Sequence, residues 1–181
     1  MHMYTFDVMP LPGDDPQEMS LFFWRRTLLH MSESGIDYGG DGPHRFPVKK
    51  ASDYTLRDIY EGEEFNKDKI EVQYEYDMGD GWRHHIVFLG RADPSLRRVM
   101  GIPPEVKVMC LGGEGHPVAE DSGGKSGWAA LKAVFKRRNR DDRKAWYKED
   151  CGNGDPNGLD PYKWDLLDVN DDLVDVFPPD E

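Results

Sequence analysis

The stretch from Ile70 to Gly90 restricts the fold of this chain more than any other part of the sequence. Two runs of alternating apolar and polar residues flank the tripeptide Gly79-Asp80-Gly81. A period of two is typical of a β-strand with one face on a core, and glycine accepts the positive φ angles that tight turns require. The pattern therefore predicts a β-hairpin.

The register of this hairpin follows from the side chains that each loop length would bring together. A two-residue loop at Asp80-Gly81 sets the apolar face of one strand against a mixed face of the other. A three-residue loop over 79–81 pairs apolar with apolar and opposite charges with each other, which contributes about 0.2–1 kcal/mol per pair. The pairs in that register are Met78 with Trp82, Tyr76 with His84, Tyr74 with Ile86, Asp77 with Arg83, and Glu75 with His85. We predict the three-residue loop, a glycine in the left-handed region, Asp80 at the tip, His84 on the buried face between Tyr76 and Trp82, and His85 outward.

Length and composition limit the class of protein. The 181 residues predict one domain over residues 1–177 and a frayed tail over 178–181. The element patterns predict an α+β fold, in which a small antiparallel sheet built on a central β-hairpin packs against several helices. No apolar run approaches about eighteen residues, and the start lacks a signal-peptide pattern, so we expect no membrane span. Cys110 and Cys151 do not make a disulfide framework, which favours a reduced, cytoplasmic setting.

Capping residues and apolar periodicity predict the other elements. Asp15 caps a helix that runs to about Ser34, and Thr55 caps a short helix that ends at Gly62. The remaining elements are strands over 3–8 and 105–111, a polar loop over 112–127, and helices over 127–138, 141–149 and 166–176.

The charge of the chain bears on its partners. A net charge of −12 argues against general nucleic-acid binding, because that binding relies on basic surface to neutralise phosphates. The stretch from Lys132 to Lys144 is a local exception, with seven Lys and Arg residues. A solvated helix face is the favoured interpretation, and nucleic-acid contact through this stretch is a minor alternative.

Four blocks of residues point to one family. The hairpin sequence Tyr74-x-Tyr76-Asp77-Met78-Gly79-Asp80-x-Trp82-x-His84 resembles the Y-x-Y-D-F-G-D-x-W-x-H core of the plasmid pRiA4b ORF-3-like family, whose members are also described as passengers of mobile genetic elements. Cys110-Leu111-x-Gly113, followed by Glu120-Asp121-x-Gly123-Gly124-x-x-Gly127-Trp128, is similar to the family's C-L-D-G and P-E-D-C-G-G-x-x-G-Y. Leu159-Asp160-Pro161-x-x-Trp164-Asp165-Leu166-x-x-Val169-Asn170 resembles F-D-P-x-x-F-D-L-x-x-V-N, and His2-Met3-Tyr4-Thr5-Phe6 resembles H-L-Y-x-F.

The resemblance covers nearly the whole chain and implies an α+β domain without an assigned activity. The family's usual N-terminal strand and helix have no counterpart in the matching blocks, and the helix at Asp15 stands in their place. Ser122 occupies the position of one family cysteine and Pro117 that of another. A thiolate metal site of the kind the family's cysteines would form is therefore not expected here.

The polar residues that the hairpin and the polar loop contribute form one candidate cluster. Its members are Asp77, Asp80, Trp82, His84, Glu120 and Asp121. They converge if the polar loop folds over the hairpin tip. They have ordinary structural uses as well: Asp77 can pair with Arg83, Asp80 can bond turn amides, and His84 can bond a tyrosine hydroxyl.

Two functions follow from this cluster. The favoured one is a non-enzymatic interaction module that presents the hairpin tip and the acidic glycine-rich loop to a protein partner. The alternative is a metal-assisted hydrolase, with a site at Asp80, His84, Glu120 and Asp121. Carboxylate and imidazole groups are ligands for divalent metals, and the candidate ligands are Asp80, His84, His116 and Glu120. His84 beside Tyr76 could also act as a general base.

Overall fold

The computed structural model describes residues 3–11, 27–35, 48–104 and 106–176. The chain divides into two compact units. The first unit comprises Met1–Leu89 with Gly123–Lys125, and the second comprises Gly90–Ser122 with Ser126–Glu181. A single domain over 1–177 stays a prediction, and the tail over 178–181 lies outside the described residues.

A five-stranded sheet forms the first unit. Its strands are β1 (Tyr4–Pro10), β2 (Leu29–Ser32), β3 (Lys49–Lys50), β4 (Ile70–Tyr76) and β5 (Trp82–Ile86), in the order β3-β2-β1-β4-β5. Neighbouring strands are antiparallel except β2 and β3, which are parallel. The α+β class is confirmed. The sheet is mixed rather than antiparallel, and the hairpin lies at its edge because β1, not the hairpin, occupies the centre.

Alternation along the strands places the core of this unit on one face of the sheet. The buried residues of the core are Val8, Leu29, Met31, Ile59, Tyr60, Ile70 and Val72. Two of them, Ile59 and Tyr60, come from helix α1 (Leu56–Glu61). As predicted, Thr55 caps this helix: its hydroxyl accepts the Asp58 N–H, and the Asp58 side chain accepts the Thr55 N–H.

The register of the hairpin differs from the prediction by two residues. Tyr76 lies opposite Trp82, Tyr74 opposite His84, and Glu75 opposite Arg83. A shift of two residues keeps every side chain on its face, so the face assignments survive while the loop grows to residues 77–81. The loop is longer because Asp77 adopts φ 53° and its carboxylate accepts the Gly79 N–H at 3.0 Å. The predicted left-handed glycine is Gly81, with φ 66°.

The helix predicted from Asp15 to Ser34 is wrong in its last turns. Residues 29–32 form β2, which pairs with β1 through Met31 opposite Phe6. Leu29 and Met31 are both buried in the core, so pairing with β1 outweighs the helical spacing that these residues also fit. Residues 12–26 lie outside the described part of the chain.

Four helices follow in the described residues after β5: α2 (Leu96–Val99), α3 (Gly124–Phe135), α4 (Asp142–Glu149) and α5 (Leu166–Val176). Asp141 caps α4, and the Asp165 carboxylate accepts the Leu167 and Asp168 N–H groups at the start of α5. Both helices are confirmed. Helix α3 begins three residues before its predicted start and ends at Phe135. The core of the second unit is Ala119, Leu131 and Tyr147.

The strand predicted over 105–111 is wrong for residues 106–111, which form no strand. The backbone of Cys110 bonds to a side chain instead. Its N–H donates to Asn170 Oδ1 at 2.9 Å, and its carbonyl accepts from Asn170 Nδ2 at 3.1 Å. This pair of bonds satisfies the groups that a sheet ladder would otherwise use.

Within the described ranges, none of the helices has both the length and the apolar character that crossing a membrane demands.

Candidate functional site

The hairpin tip is joined to the glycine segment 123–125 within the first unit. One carboxylate oxygen of Asp80 accepts the Gly123 N–H at 3.2 Å. The next residue, Gly124, lies so close that a Cβ there would stand 2.6 Å from the Asp80 carbonyl oxygen. Gly124 also has φ +65°, which only glycine adopts without strain. Asp80 thus bonds an amide outside its own turn, 43 positions away along the chain, and not only the turn amides expected from its position.

Beside the tip, aromatic rings cover one face of β1, β4 and β5. Phe6 stacks on Tyr74 with ring centroids 4.7 Å apart, and His84 stacks on the same tyrosine at 5.5 Å. Tyr4 and Trp82 are half-buried on this face. Burial raises the pKa of Tyr74. The prediction that His84 is buried is wrong, and the side chain is exposed. Because β5 is an edge strand, only one side of the His84 ring is covered.

The opposite face of the sheet carries ion pairs. Arg83 Nε lies 2.7 Å from Glu75 Oε2, so Arg83 pairs with Glu75, the residue opposite it in the sheet. His85 points outward as predicted, and its Nδ1 lies 3.2 Å from a carboxylate oxygen of the buried Glu71. The predicted partner of Arg83 was Asp77 and that of His85 was Glu75. The two-residue shift of the register places Arg83 opposite Glu75, and His85 opposite Gln73 on the same face as Glu71.

Glu120 and Asp121 belong to the second unit. The Glu120 N–H donates to Asn153 Oδ1 at 2.9 Å, while the Glu120 Oε2 atom is buried with no hydrogen-bond partner. Asp121 is exposed and has φ 57°. Ser122, at the position of a family cysteine, is buried and its hydroxyl also has no partner.

His116 is held by hydrogen bonds at both ring nitrogens. Its Nδ1 lies 2.5 Å from the Pro117 carbonyl oxygen, which only accepts, so Nδ1 carries the hydrogen. In the neutral imidazole, Nε2 then accepts from the Tyr147 hydroxyl at 3.3 Å. That hydroxyl in turn accepts the backbone N–H of Asp155, and burial raises the pKa of Tyr147.

A cleft of about 200 Å³ opens beside His116 in the second unit. Its lining residues are His116, Pro117, Asn153, Lys163, Trp164, Asp165, Asp168, Val169 and Asp172. A Cβ at Gly113 would overlap the indole of Trp164, so the ring packs directly on the backbone there. The sequence contained a signal for this packing, since Gly113 and Trp164 belong to two of the blocks that carry the family resemblance. Because the two residues are 51 positions apart, the contact between them could not be predicted from the sequence.

No group of three or more His, Cys, Asp or Glu side chains in the described ranges is placed to hold a metal ion. The proposed ligands Asp80 and His84 lie in the first unit, and His116 and Glu120 lie in the second. Both cysteines are free thiols.

Three of the seven basic residues between Lys132 and Lys144 have structural partners. Arg143 donates to the carbonyl oxygens of Ser122 and Gly127, at 3.0 and 3.3 Å. Lys144 bonds carbonyl oxygens that follow helix α3, and Lys132 lies over the Trp128 ring. These contacts hold the three side chains against the fold, which leaves their donor groups less available to phosphate oxygens while their charges remain.

Comparison with known proteins identifies one family. The model of the family described as "Plasmid pRiA4b ORF-3-like protein" matches residues 1–170. No curated protein matches the chain. A crystal structure of a protein of unknown function from Methanosarcina mazei Go1 is similar, with a TM-score of 0.48 and 21% identity over 92% of this chain and 72% of that one.

Proposed function

We propose, from the premise that the chain belongs to the plasmid pRiA4b ORF-3-like family, that it is a non-enzymatic interaction module. Its binding surface is the tip surface, defined as residues 77–81 of the hairpin with Gly123–Lys125. A protein partner is the occupant. The family description names no activity, so the proposal rests on the geometry of the chain itself.

The observation that carries the proposal is the bond between Asp80 and the Gly123 N–H. Together with the close approach of Gly124 to the Asp80 carbonyl, it joins two segments of the chain into one surface. Met78, 37% exposed, and the exposed Lys125 lie on this surface. Rigid loops held by a scaffold are typical positions for recognition.

The use of the polar side chains also supports binding over catalysis. Asp77 accepts a turn amide, Asp80 accepts the Gly123 amide, and His84 stacks on Tyr74. A general base must lie within hydrogen-bond reach of the proton that it removes, and a nucleophile must lie beside such a base. These three groups serve the backbone and the ring packing instead.

Site-specific photo-crosslinking in the native host tests the proposal. A photoreactive amino acid at Met78 should give one discrete protein adduct, and the same amino acid at Leu56 on α1, 47% exposed, should give none. Asp80→Ala should abolish the adduct because it frees the glycine segment from the tip. Equal adducts from both positions, or none from Met78, would overturn the proposal.

Metal analysis separates the hydrolase alternative from this module. The module requires no bound metal, so the Met78 adduct should also form when a lysate of the host is treated with a chelator before irradiation. Near-stoichiometric divalent metal that is lost in folded Asp80→Ala and His84→Ala variants would favour the hydrolase instead.

A further inference from the structure

The sheet of the first unit has two edges, and they differ in how they are protected. Strand β3 ends the sheet on one side with two residues, Lys49 and Lys50, and both are exposed. Short strands and lysine side chains are common ways to prevent an edge from pairing with another chain. Strand β5, at the other edge, has five residues, contains no proline and pairs with β4 without a bulge. The β5 edge therefore lacks the shortness and the lysines that protect the β3 edge.

The backbone groups on the open side of β5 can be identified from the hydrogen bonds of the sheet. Along an antiparallel strand, the N–H and C=O groups of successive residues point to opposite sides. The Leu11 N–H donates to the Lys69 carbonyl at 2.7 Å, which continues the β1–β4 register, so the odd-numbered residues of β4 bond β1 and the even-numbered ones bond β5. The backbone groups of His84 therefore point to β4. Those of Arg83 and His85 point away from the sheet, and no other described residue bonds them. All three side chains are exposed.

The side chains of β5 form a palindromic pattern about His84. An apolar residue stands at each end, Trp82 and Ile86, and a basic residue stands between each end and His84. When two identical strands pair antiparallel about a twofold axis, each residue meets its mirror position in the other copy. With the axis at His84, Trp82 of each copy lies opposite Ile86 of the other, so apolar meets apolar. A strand from an unrelated protein would not require this symmetry, and the pattern therefore favours a second copy of this chain.

The charges on the other face of β5 are compatible with this pairing. The same axis sets Arg83 opposite His85 of the second copy. Within its own chain, Arg83 Nε lies 2.7 Å from a Glu75 carboxylate oxygen, and His85 Nδ1 lies 3.2 Å from one of Glu71. Each basic side chain thus has a carboxylate of its own chain beside it, which offsets the repulsion between the two bases.

We propose that two copies of this chain pair through their β5 edges, antiparallel and about a twofold axis at His84, so that the two sheets become one continuous sheet. The Arg83 N–H donates to the His85 carbonyl of the second copy, the His85 N–H donates to the Arg83 carbonyl, and the symmetry repeats both bonds. Addition of a strand to an open edge is a general mode of recognition between chains. The pairing does not use the tip surface.

Sedimentation equilibrium of the full-length protein over a wide range of concentrations tests the proposal. Because the interface is small, we expect a reversible equilibrium between monomer and dimer. His85→Pro removes an N–H that faces solvent in the monomer, where an edge strand tolerates proline. It should raise the dissociation constant of the dimer at least about tenfold, since symmetry removes two interchain bonds. The matched control is His85→Ala, which loses the same side chain but keeps the N–H and should stay within about threefold.

A cysteine at the twofold axis tests the register. His84→Cys places each thiol opposite that of the other copy, with about 4.5–5.5 Å between the Cβ atoms, and a small adjustment then permits a disulfide. The control is Lys50→Cys at the β3 edge. Oxidation should give a dimer linked through position 84 and none linked through position 50. Mass spectrometry of the linked peptides identifies the bond, since Cys110 and Cys151 are also free thiols.

A protein that stays monomeric at every concentration would overturn the proposal and would leave the β5 edge to a strand of another protein. Equal dissociation constants for His85→Pro and His85→Ala, or equal linkage through positions 84 and 50, would overturn it as well. Circular dichroism checks folding, and Arg83→Pro with Arg83→Ala serves if His85→Pro unfolds. None of these results changes the adduct expected at Met78, so this proposal and that of the tip surface fail separately.

Discussion

The two units of this protein satisfy their backbone hydrogen bonds in different ways. In the first unit, β1 pairs with β2 and β4, and β4 with β5, so backbone bonds to backbone. In the second unit, side chains bond the backbone of long irregular segments. Asn170 holds both backbone groups of Cys110, Asn153 bonds the Val118 carbonyl at 2.8 Å, and Arg143 bonds that of Ser122.

This difference determines where each unit is vulnerable. A ladder of strands tolerates the loss of one side chain because its backbone bonds remain. A segment held by one amide or one guanidinium loses its partners when that side chain is removed, and buried backbone groups without partners are costly. Among the described residues, the second unit also has the smaller core cluster, with three buried apolar residues against seven.

Core truncation should give the largest effects and should distinguish the units. Leu131→Ala in the second unit (0% exposed) and Met31→Ala in the first (2% exposed) should each cost about 2–5 kcal/mol. Urea unfolding, followed by the hydrogen exchange of each unit's amides, should show that stability is lost in the mutated unit. Leu167→Ala, at a residue 75% exposed, is the control. Equal loss of protection in both units from either variant would mean that they unfold as one.

A methyl group added at Gly113 should have the next largest effect, and it tests the packing of the second unit. Gly113→Ala forces the new Cβ into the Trp164 ring, and overpacking of this kind costs about 1–3 kcal/mol. Gly112→Ala is the matched control, because nothing lies within 4 Å of a Cβ at that position. Thermal unfolding measures both. Similar melting temperatures for the two variants would show that the indole does not pack against the backbone there.

Alkaline pH should weaken the second unit through Tyr147. Burial raises the pKa of its phenol above the ordinary value of 10.0. Above pH 10 the unfolded chain therefore loses this proton first, and the stability that the neutral phenol contributes falls as pH rises through the folded pKa. Tyr147→Phe should cost about 0.5–1.5 kcal/mol at pH 7 and should flatten the loss above pH 10, as measured by urea unfolding at each pH. An unchanged alkaline slope would contradict this role.

The smallest effect tests the register of the hairpin. A double-mutant cycle on Glu75 and Arg83 should give a coupling energy of about 0.2–1 kcal/mol, as expected for a partly exposed pair. The same cycle on Asp77 and Arg83 should give none. Denaturant unfolding measures both cycles, and coupling in the second alone would restore the three-residue loop.

The predictability of the fold depends on how far apart along the chain the interacting residues lie, in both units. The strands at Tyr4 and Ile70 and the helix capped by Thr55 were predicted because alternation and capping are local signals. The strand at Leu29 was missed, since its pairing with β1 comes from a distant segment. In the candidate site, Asp80 was correctly placed at the tip, but its bond to Gly123 spans 43 positions. The position of His84 at an exposed edge likewise depends on the strand order.

The sequence by itself determined the α+β class, the existence of a hairpin with Asp80 in its turn, the capped helices and the family. Each of these is encoded in residues that are neighbours along the chain. Only the tertiary structure decided the register of the hairpin, the exposure of His84, the support of Cys110 by Asn170 and the cleft beside Trp164. These features depend on contacts between residues far apart in sequence, whose energies are individually small and are selected only when the whole unit packs.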